Sequence, residues 1–488
     1  MKFNNSYANL PPLFFTKTTP AKVKDPKVIL LNYSLAEELV IDSAYLKEDS
    51  AANIFSGNKL SEDSEPIAMA YAGHQFGHFV PELGDGRATL LGELTDQNGV
   101  QKDIQLKGSG LTRYSRGGDG RSSLGPVIRE YLVSEAMNKL QIPTTRALAA
   151  VSTGETVYRE IDLPGAVLTR VALSHVRIGT FEYFSHRQDL SAVKQLADYC
   201  IDRLYPTLKN TDAPYLGFLE SVMDRQIRLI TKWLSVGFIH GVMNTDNCSI
   251  SGETIDFGPC AFMEKFNPNQ VFSAIDQQGR YAYSNQAKIL LWNLMRFAET
   301  LLLLIDKNQD KAVEKAQLVF ERYWDTFTEE WSKVMLKKMG ITSVKKGDDS
   351  LVHEFLDGMT STQSDFTLSF RYLSHQLSNT PFTESIKPPL FTSDFFKNWE
   401  PKWKARLALE KGNQKNKIEL MNSVNPIVIP RNHLIEKAIQ EAQTSGDYSF
   451  MKQLNKCFET PFEYTQDSLE FISPATDENE VTRTFCGT

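Results

Sequence analysis

Residues 238–258 constrain this chain more than any other stretch. They read Phe238-Ile239-His240-Gly241-Val242-Met243-Asn244-Thr245-Asp246-Asn247-Cys248-Ser249-Ile250-Ser251-Gly252-Glu253-Thr254-Ile255-Asp256-Phe257-Gly258. An apolar run with helical spacing, 218–236, ends at Gly237 directly before them. A polar loop with His240, Asp246 and Asn247 follows, and Ile255 then leads into Asp256-Phe257-Gly258. An amide and two carboxylates on adjoining loops are hard oxygen donors, the kind magnesium takes beside phosphates. Asn and Asp are also ordinary cap and turn residues, so the stretch needs support from the rest of the chain.

The order His, Asn, then Asp-Phe-Gly is that of a protein-kinase catalytic loop followed by its metal loop. One position breaks the pattern. The kinase base is an Asp two residues after the His and five before the Asn. Val242 stands there, and the nearby carboxylate is Asp246, directly before Asn247. His240 is expected to support the loop rather than do chemistry.

A chain of 488 residues can form two or three lobes around a large core. Its net charge of −7 argues against nucleic acid as the main partner. No apolar run reaches membrane-spanning length, and Leu301–Ile305 is far too short. The first residues, Met1-Lys2-Phe3-Asn4-Asn5-Ser6-Tyr7, hold neither an apolar signal core nor an Arg-rich amphipathic pattern, so a cytoplasmic protein is expected. Cys200, Cys248, Cys260, Cys457 and Cys486 show no metal-ligand spacing and no secreted disulfide framework.

Residues 1–65 carry Pro11, Pro12, Pro20 and Pro26 and are expected to be an N-terminal extension packed across the lobes, with one helix near Ser34–Val40. A first glycine segment, Gly84-Asp85-Gly86-Arg87, precedes a strand at 88–94 that turns at Asn98-Gly99. A second strand, Asp103–Leu106, delivers Lys107 into a glycine-rich stretch that ends in Asp119-Gly120-Arg121. A helix follows from about Gly125 to Leu140, with Ile128, Leu132, Ala136 and Leu140 on one side. Strands are expected at Thr156–Glu160 and Ala166–Val171. Beyond residue 180 the pattern is helical, with irregular chain around Pro381, Pro388 and Pro389, helices again after Pro430, and a polar tail at 461–488. The expected fold is α+β and bilobal: a small β-rich lobe at 66–180, a helical lobe at 181–460 and the tail.

Lys107 at a strand end can hold phosphate oxygens as a point charge, oriented by a helix carboxylate, Glu130 in preference to Glu135. The glycine segments can present backbone N–H groups to phosphates, although neither is a Walker A sequence. Arg170 stands at the end of the last expected small-lobe strand and Arg177 follows it, and guanidinium forks suit phosphate oxygens. His74 and His78 are four apart, but lack the intervening Glu of a zinc protease and are flanked by glycine, so they are not read as ligands. No Gly-x-Ser-x-Gly elbow supports a hydrolase.

The segments Tyr71–Leu94, Gln105–Arg146, Gly165–Arg177 and Phe238–Met263, with a Cys third from the C-terminus, resemble the selenoprotein O family. The resemblance implies a protein-kinase-like fold that moves AMP from ATP to Ser, Thr or Tyr hydroxyls of proteins, with pyrophosphate as leaving group. Transfer of UMP from UTP is also attributed to bacterial relatives. It implies Mg2+ or Mn2+ as cofactor and protein substrates as partners; no nucleic acid, no membrane and a monomer are expected. Carried over, nucleotide contacts fall on Gly84, Gly86, Arg87, Lys107, Asp119, Gly120, Arg170, Arg177 and Asp256. Asp246 is similar to the family's proton acceptor, Asn247 and Asp256 to its metal ligands, and Glu130 to the partner of Lys107. The family's selenocysteine position is Cys486 here, and the resemblance implies a redox link to Cys260, the one Cys in the segment close behind Gly258. Two other readings stay open: a phosphotransferase that moves the γ-phosphate, and a non-catalytic nucleotide-binding scaffold.

Overall fold

A computed structural model describes residues 1–378, 386–465 and 468–485. Apolar, strand-forming runs dominate its first 172 residues, and most of them gather into one sheet. The strands are β1 (Phe15–Lys17), β2 (Lys27–Leu31), β3 (Ile67–Met69), β4 (Gly73–Gln75), β5 (His78–Val80), β6 (Ala88–Thr95), β7 (Gln101–Lys107), β8 (Ser122–Ser123), β9 (Arg146–Tyr158) and β10 (Asp162–Ala172). The sheet order is β1-β3-β6-β7-β10-β9-β2, with β8 pairing on β10; β4 and β5 form a separate hairpin.

Residues 1–65 are more than a surface extension. They supply the edge strands β1, paired with β3, and β2, paired with β9. They also supply helices α1 (Tyr33–Glu38) and α2 (Glu48–Phe55), whose Leu35, Ile54 and Phe55 pack against Leu91, Ile104, Leu106 and Val167 on one face of the sheet. Prolines set the breaks between these pieces, but burial decides where they lie. The strand expected at Thr156 begins instead at Arg146. Its Ala-rich start has helix-forming composition, and pairing with β2 and β10 on either side overrides that preference.

The opposite face is covered by α3 (Leu124–Lys139), which is buried nearly all round rather than along one stripe. The helix Asn432–Ser445 explains this by packing on the side of α3 away from the sheet. Gly125 meets Ile439 and Gln443 there, and Arg129 pairs with Glu436. Glu130 is therefore carried on a helix fixed from both sides.

After β10 the chain is mainly helical. Helices α4 (Ile178–His186), α5 (Leu190–Leu204), α6 (Pro214–Ser235) and α7 (Gln286–Ile305) come first. Phe181, Phe218 and Phe297, from α4, α6 and α7, meet with ring centroids 5.9, 5.1 and 5.5 Å apart. Helices Asp394–Leu407 and Gln414–Val424 occupy chain in which no helix was expected. The first contains Pro401. It is held by Trp399 and Trp403, both buried, whose indole N–H groups donate to Leu351 O at 3.0 Å and Met339 O at 2.9 Å. Among the described residues, no helix is long and apolar enough to cross a membrane.

A two-stranded pairing organises the chemistry-bearing loops. Strand β11 (Phe238–Ile239) pairs with β12 (Ala261–Phe262), joining Phe238 to Phe262 and Ile239 to Ala261. The intervening residues thus form a closed excursion from one fixed base.

Candidate active site

A cleft of about 660 Å³ opens between the sheet and residues 242–259, a size ordinary for a small-molecule site. Strand register delivers the first of its charges. Antiparallel β7 and β10 set Leu168 opposite Lys107 and Arg170 opposite Gln105. Alternation then places Gln105, Lys107, Leu168 and Arg170 on the α3 side. Arg170 donates to Gln105 Oε1 at 2.6 Å and to Glu130 Oε1 at 3.1 Å. Lys107 Nζ donates to Glu130 Oε2 at 2.6 Å. Glu135, the other carboxylate on α3, instead accepts from Nε and Nη2 of Arg146, at 2.9 and 2.8 Å.

Asp256 is the centre on which these cations converge. Its Oδ1 accepts from Lys107 and Arg170, each at 2.7 Å, and its Oδ2 accepts from Arg177, also at 2.7 Å. Burial alone would raise its pKa. The charges of Lys107, Arg170 and Arg177 outweigh that and hold the carboxyl well below the usual range. Asp256 also sits at φ +62°, a left-handed conformation that Asp tolerates better than most residues. Arg177 is the bridge to the loop: it donates to the backbone O of Asp246 at 2.7 Å and stacks 4.6 Å from the Tyr71 ring.

Asp246 lies on the short helical turn Thr245–Asn247, 7% exposed. Burial pushes its carboxyl up to about 6, against the opposing pull of Arg177 and of a hydrogen bond from Gln75 Nε2 at 3.2 Å. Asn247 Nδ2 donates to Val242 O at 3.0 Å, which leaves its amide oxygen as the group offered to the cleft. His240 is fully buried, stacked on Trp233 and bonded through Nε2 to Ile255 O at 2.9 Å. It ties the two ends of the loop together.

The donor set fits a hard divalent cation. An ionised carboxylate, Asp256, and an amide oxygen, Asn247, line one cleft. Among the described residues no group of three or more His, Cys, Asp or Glu side chains could hold a metal. Magnesium-type ions bound by one or two protein oxygens take the rest from phosphates and water. His74 and His78 do not meet as a pair: His74 Nδ1 bonds Glu182 Oε1 at 2.5 Å, and His78 is exposed.

In the first glycine segment the N–H groups of Gly84, Asp85 and Gly86 are engaged within the protein. The N–H of Gly84 donates to Tyr71 O, that of Asp85 to Met69 O, and that of Gly86 to Gly84 O. A Cβ at Gly84 would lie 2.2 Å from the Tyr114 ring, and one at Gly86 2.7 Å from Tyr114 O. Only glycine lets these two loops close over one another. Arg87 lines the cleft beside them, as do Asp119 and Gly120. Asp119 is gripped by both arms of Arg159, at 2.8 and 3.1 Å, and those hydrogen bonds lower its pKa.

Three site residues were not singled out from sequence. Gln105 shares the face of Lys107 two residues on, so strand periodicity could have found it. Asp85, its carboxyl pushed up to about 6 by burial, stands 4.0 Å from Arg177 and accepts from Gln105 and Met69 N–H. Gln75 carried no signal beyond its glycine-flanked setting. In the tail, Thr484 Oγ1 donates to Pro259 O at 2.6 Å and its N–H to Phe272 O at 2.8 Å. Cys260 is buried, whereas Cys486, its expected redox partner, lies outside the described residues.

The chain matches the family profile described as "Protein adenylyltransferase SelO" over residues 1–459. Curated relatives include a protein of Bradyrhizobium diazoefficiens, 50% identical over 486 residues, which covers 100% of this chain and 99% of the relative. Another, from Agrobacterium fabrum, is 51% identical over 490 residues, covering 100% of both. A third, from Rhizobium etli, is 51% identical over 490 residues, covering 100% of this chain and 97% of the relative. Each of the three is named "Protein nucleotidyltransferase YdiU".

Proposed function

The chain belongs to the SelO family of protein adenylyltransferases, and from that premise we propose that it moves AMP from ATP to a Ser, Thr or Tyr hydroxyl of another protein and releases pyrophosphate. The observation that carries this reading is the convergence of Lys107, Arg170 and Arg177 on Asp256, with the Asp246 carboxylate on the same cleft. We read the whole as a bilobal, protein-kinase-like architecture in which residues 66–180 form the phosphate-binding lobe.

In this reading Lys107, Arg170, Arg177 and Arg87 hold the outer phosphates. Guanidinium forks and an ammonium are suited to that work and offset the charge that builds on a departing pyrophosphate. Asp246 accepts the proton of the acceptor hydroxyl. The hydroxyl oxygen bonds to the α-phosphorus as the bond from that phosphorus to its bridging oxygen breaks. Asn247 and Asp256 would hold a divalent cation, which would supply further positive charge beside the phosphates. Val242, where a kinase keeps its base, argues against γ-phosphate transfer.

Incubation with ATP labelled at the α or the γ position, with UTP run in parallel, tests this. Label from the α position on the acceptor protein is expected. Label from γ alone would replace the reading with an ordinary kinase, and nucleotide binding without any transfer would replace it with a scaffold.

A further inference from the structure

The hairpin β4–β5 stands outside the main sheet, and none of the nucleotide contacts assigned above falls on it. Its register pairs Gly73 with Val80, His74 with Phe79 and Gln75 with His78, which leaves Phe76 and Gly77 as the turn. Both have positive φ, +52° and +87°, as a two-residue type I′ turn requires. Phe76 is a poor occupant of such backbone. Strain of this kind persists only where the surroundings impose it, and it gathers at functional sites.

The surroundings here are the loop that carries Asp246. The N–H of His74 donates to Thr245 Oγ1 at 2.7 Å, and the N–H of Phe76 donates to Asn244 Oδ1 at 3.0 Å. Gln75 Nε2, between them, donates to Asp246 Oδ2 at 3.2 Å. Three consecutive hairpin residues thus grip three consecutive loop residues. Two of the loop residues have a second anchor: Thr245 Oγ1 donates to Glu182, and Asn244 Oδ1 accepts from Tyr281 OH at 2.6 Å. Arg177 anchors the backbone of Asp246, but the carboxylate has no such second side-chain partner among the described residues. Among the described residues Gln75 is the one side chain that donates to its carboxylate, while Oδ1 is buried without a hydrogen-bond partner. Gly73 walls that oxygen, since a Cβ there would lie 2.7 Å from it.

We propose that Gln75 is the positioning residue of Asp246, turning the carboxylate so that Oδ2 faces an acceptor hydroxyl in the cleft that both side chains line. The proposal rests on the reading of Asp246 as proton acceptor. It also gives the hairpin a role. The turn forces Gln75 toward the loop, Gly73 leaves room for the carboxylate, and the two backbone bonds hold the register between them. Removing the amide of Gln75 leaves those backbone bonds in place and frees only the carboxylate, so the loop keeps its path while the base loses its aim. A general base contributes about 10²–10⁴-fold when it is well placed, and misplacement by about an ångström can cost about a hundredfold.

The test is a set of variants assayed for kcat, KM for ATP and melting temperature. Gln75→Leu is expected to lower kcat by about 10- to 100-fold, with KM for ATP and melting temperature close to the parent's. Gly73→Ala, whose methyl would crowd Oδ1, should lower kcat in the same way. Combining either change with Asp246→Asn should cost nothing further in residual rate, because both act through the carboxylate that is already gone. Full multiplication of the two losses would assign Gln75 a general structural part and overturn the proposal, as would a parent-like kcat for Gln75→Leu. If Gln75→Leu does not fold, Gln75→Met takes its place under the same criteria. Full activity of Asp246→Asn would sink the reading of Asp246 itself, an outcome distinct from failure at Gln75.

Discussion

The protein buries two clusters of charge with similar members and different surroundings. One gathers Lys107, Glu130, Arg170, Arg177 and Asp256 on the cleft. The other gathers Glu93, Asp103, His175 and Arg203 away from it. In the second, the protein accounts for each charge. Glu93 accepts from the N–H groups of Ser6 and Tyr7, Asp103 takes both His175 and Arg203, and Arg203 also donates to Leu173 O and Tyr199 OH. That cluster pins the N-terminal segment and α5 to the sheet. In the first, the central carboxylate keeps 19% of its surface open although three cations touch it. Buried charge alone does not mark a site. Buried charge that a cavity can reach, in partners a ligand could exchange, does.

The largest expected effect separates the two directly. Asp256→Ala should lower transfer roughly a thousandfold or more, since it removes an oxygen donor to the cation and the group that organises Lys107, Arg170 and Arg177. Near-parent turnover would dissolve the distinction. Arg203→Ala should do the reverse. Leaving Asp103 and Glu93 buried and unpaired should cost about 3–5 kcal/mol in denaturant unfolding, with turnover per folded molecule unchanged. A loss of turnover without a loss of stability would move that cluster into the catalytic account.

A smaller effect sharpens the same contrast through pH. Burial lowers the His175 pKa to about 4, with Asp103 opposing and Arg170 adding to the shift. The folded pKa lies below the unfolded one, so the unfolded chain binds a proton that the folded chain refuses. Stability from this group is complete above about pH 6.5 and is lost as pH falls toward 4, about 3 kcal/mol across the window. Asp85, Asp246 and Glu253, whose folded pKa values burial raises, act with the opposite sign. The readout is therefore the difference between parent and His175→Gln: the variant's unfolding free energy should fall less steeply between pH 6.5 and 4. Parallel curves would contradict the assignment.

The cleft was largely legible because its charges ride on regular elements or on the dense motif 238–258. Lys107 ends a strand, Arg170 sits two residues before the end of one, and Glu130 lies on the helix that covers that face of the sheet, so regular elements bring them near one another. Gln75 and Asp85 were not legible, because they act from a tight turn and a glycine loop whose paths are set by contacts far away in sequence. The same cause hid the strands of residues 1–65, the early start of β9 and the helix around Pro401, where long-range burial overrules local preference. The same long-range closure occupies the N–H groups of Gly84 and Gly86, which donate to Tyr71 O and to Gly84 O.

The measurement that bears most directly on the central claim is the identity of the small-molecule product. Phosphorus NMR of a reaction with ATP, a divalent cation and an acceptor protein should show pyrophosphate growing in step with modified protein, and neither signal with Asp256→Ala. ADP accumulating in step with modified protein would contradict the account, because it would mean that the cleft transfers the γ-phosphate after all.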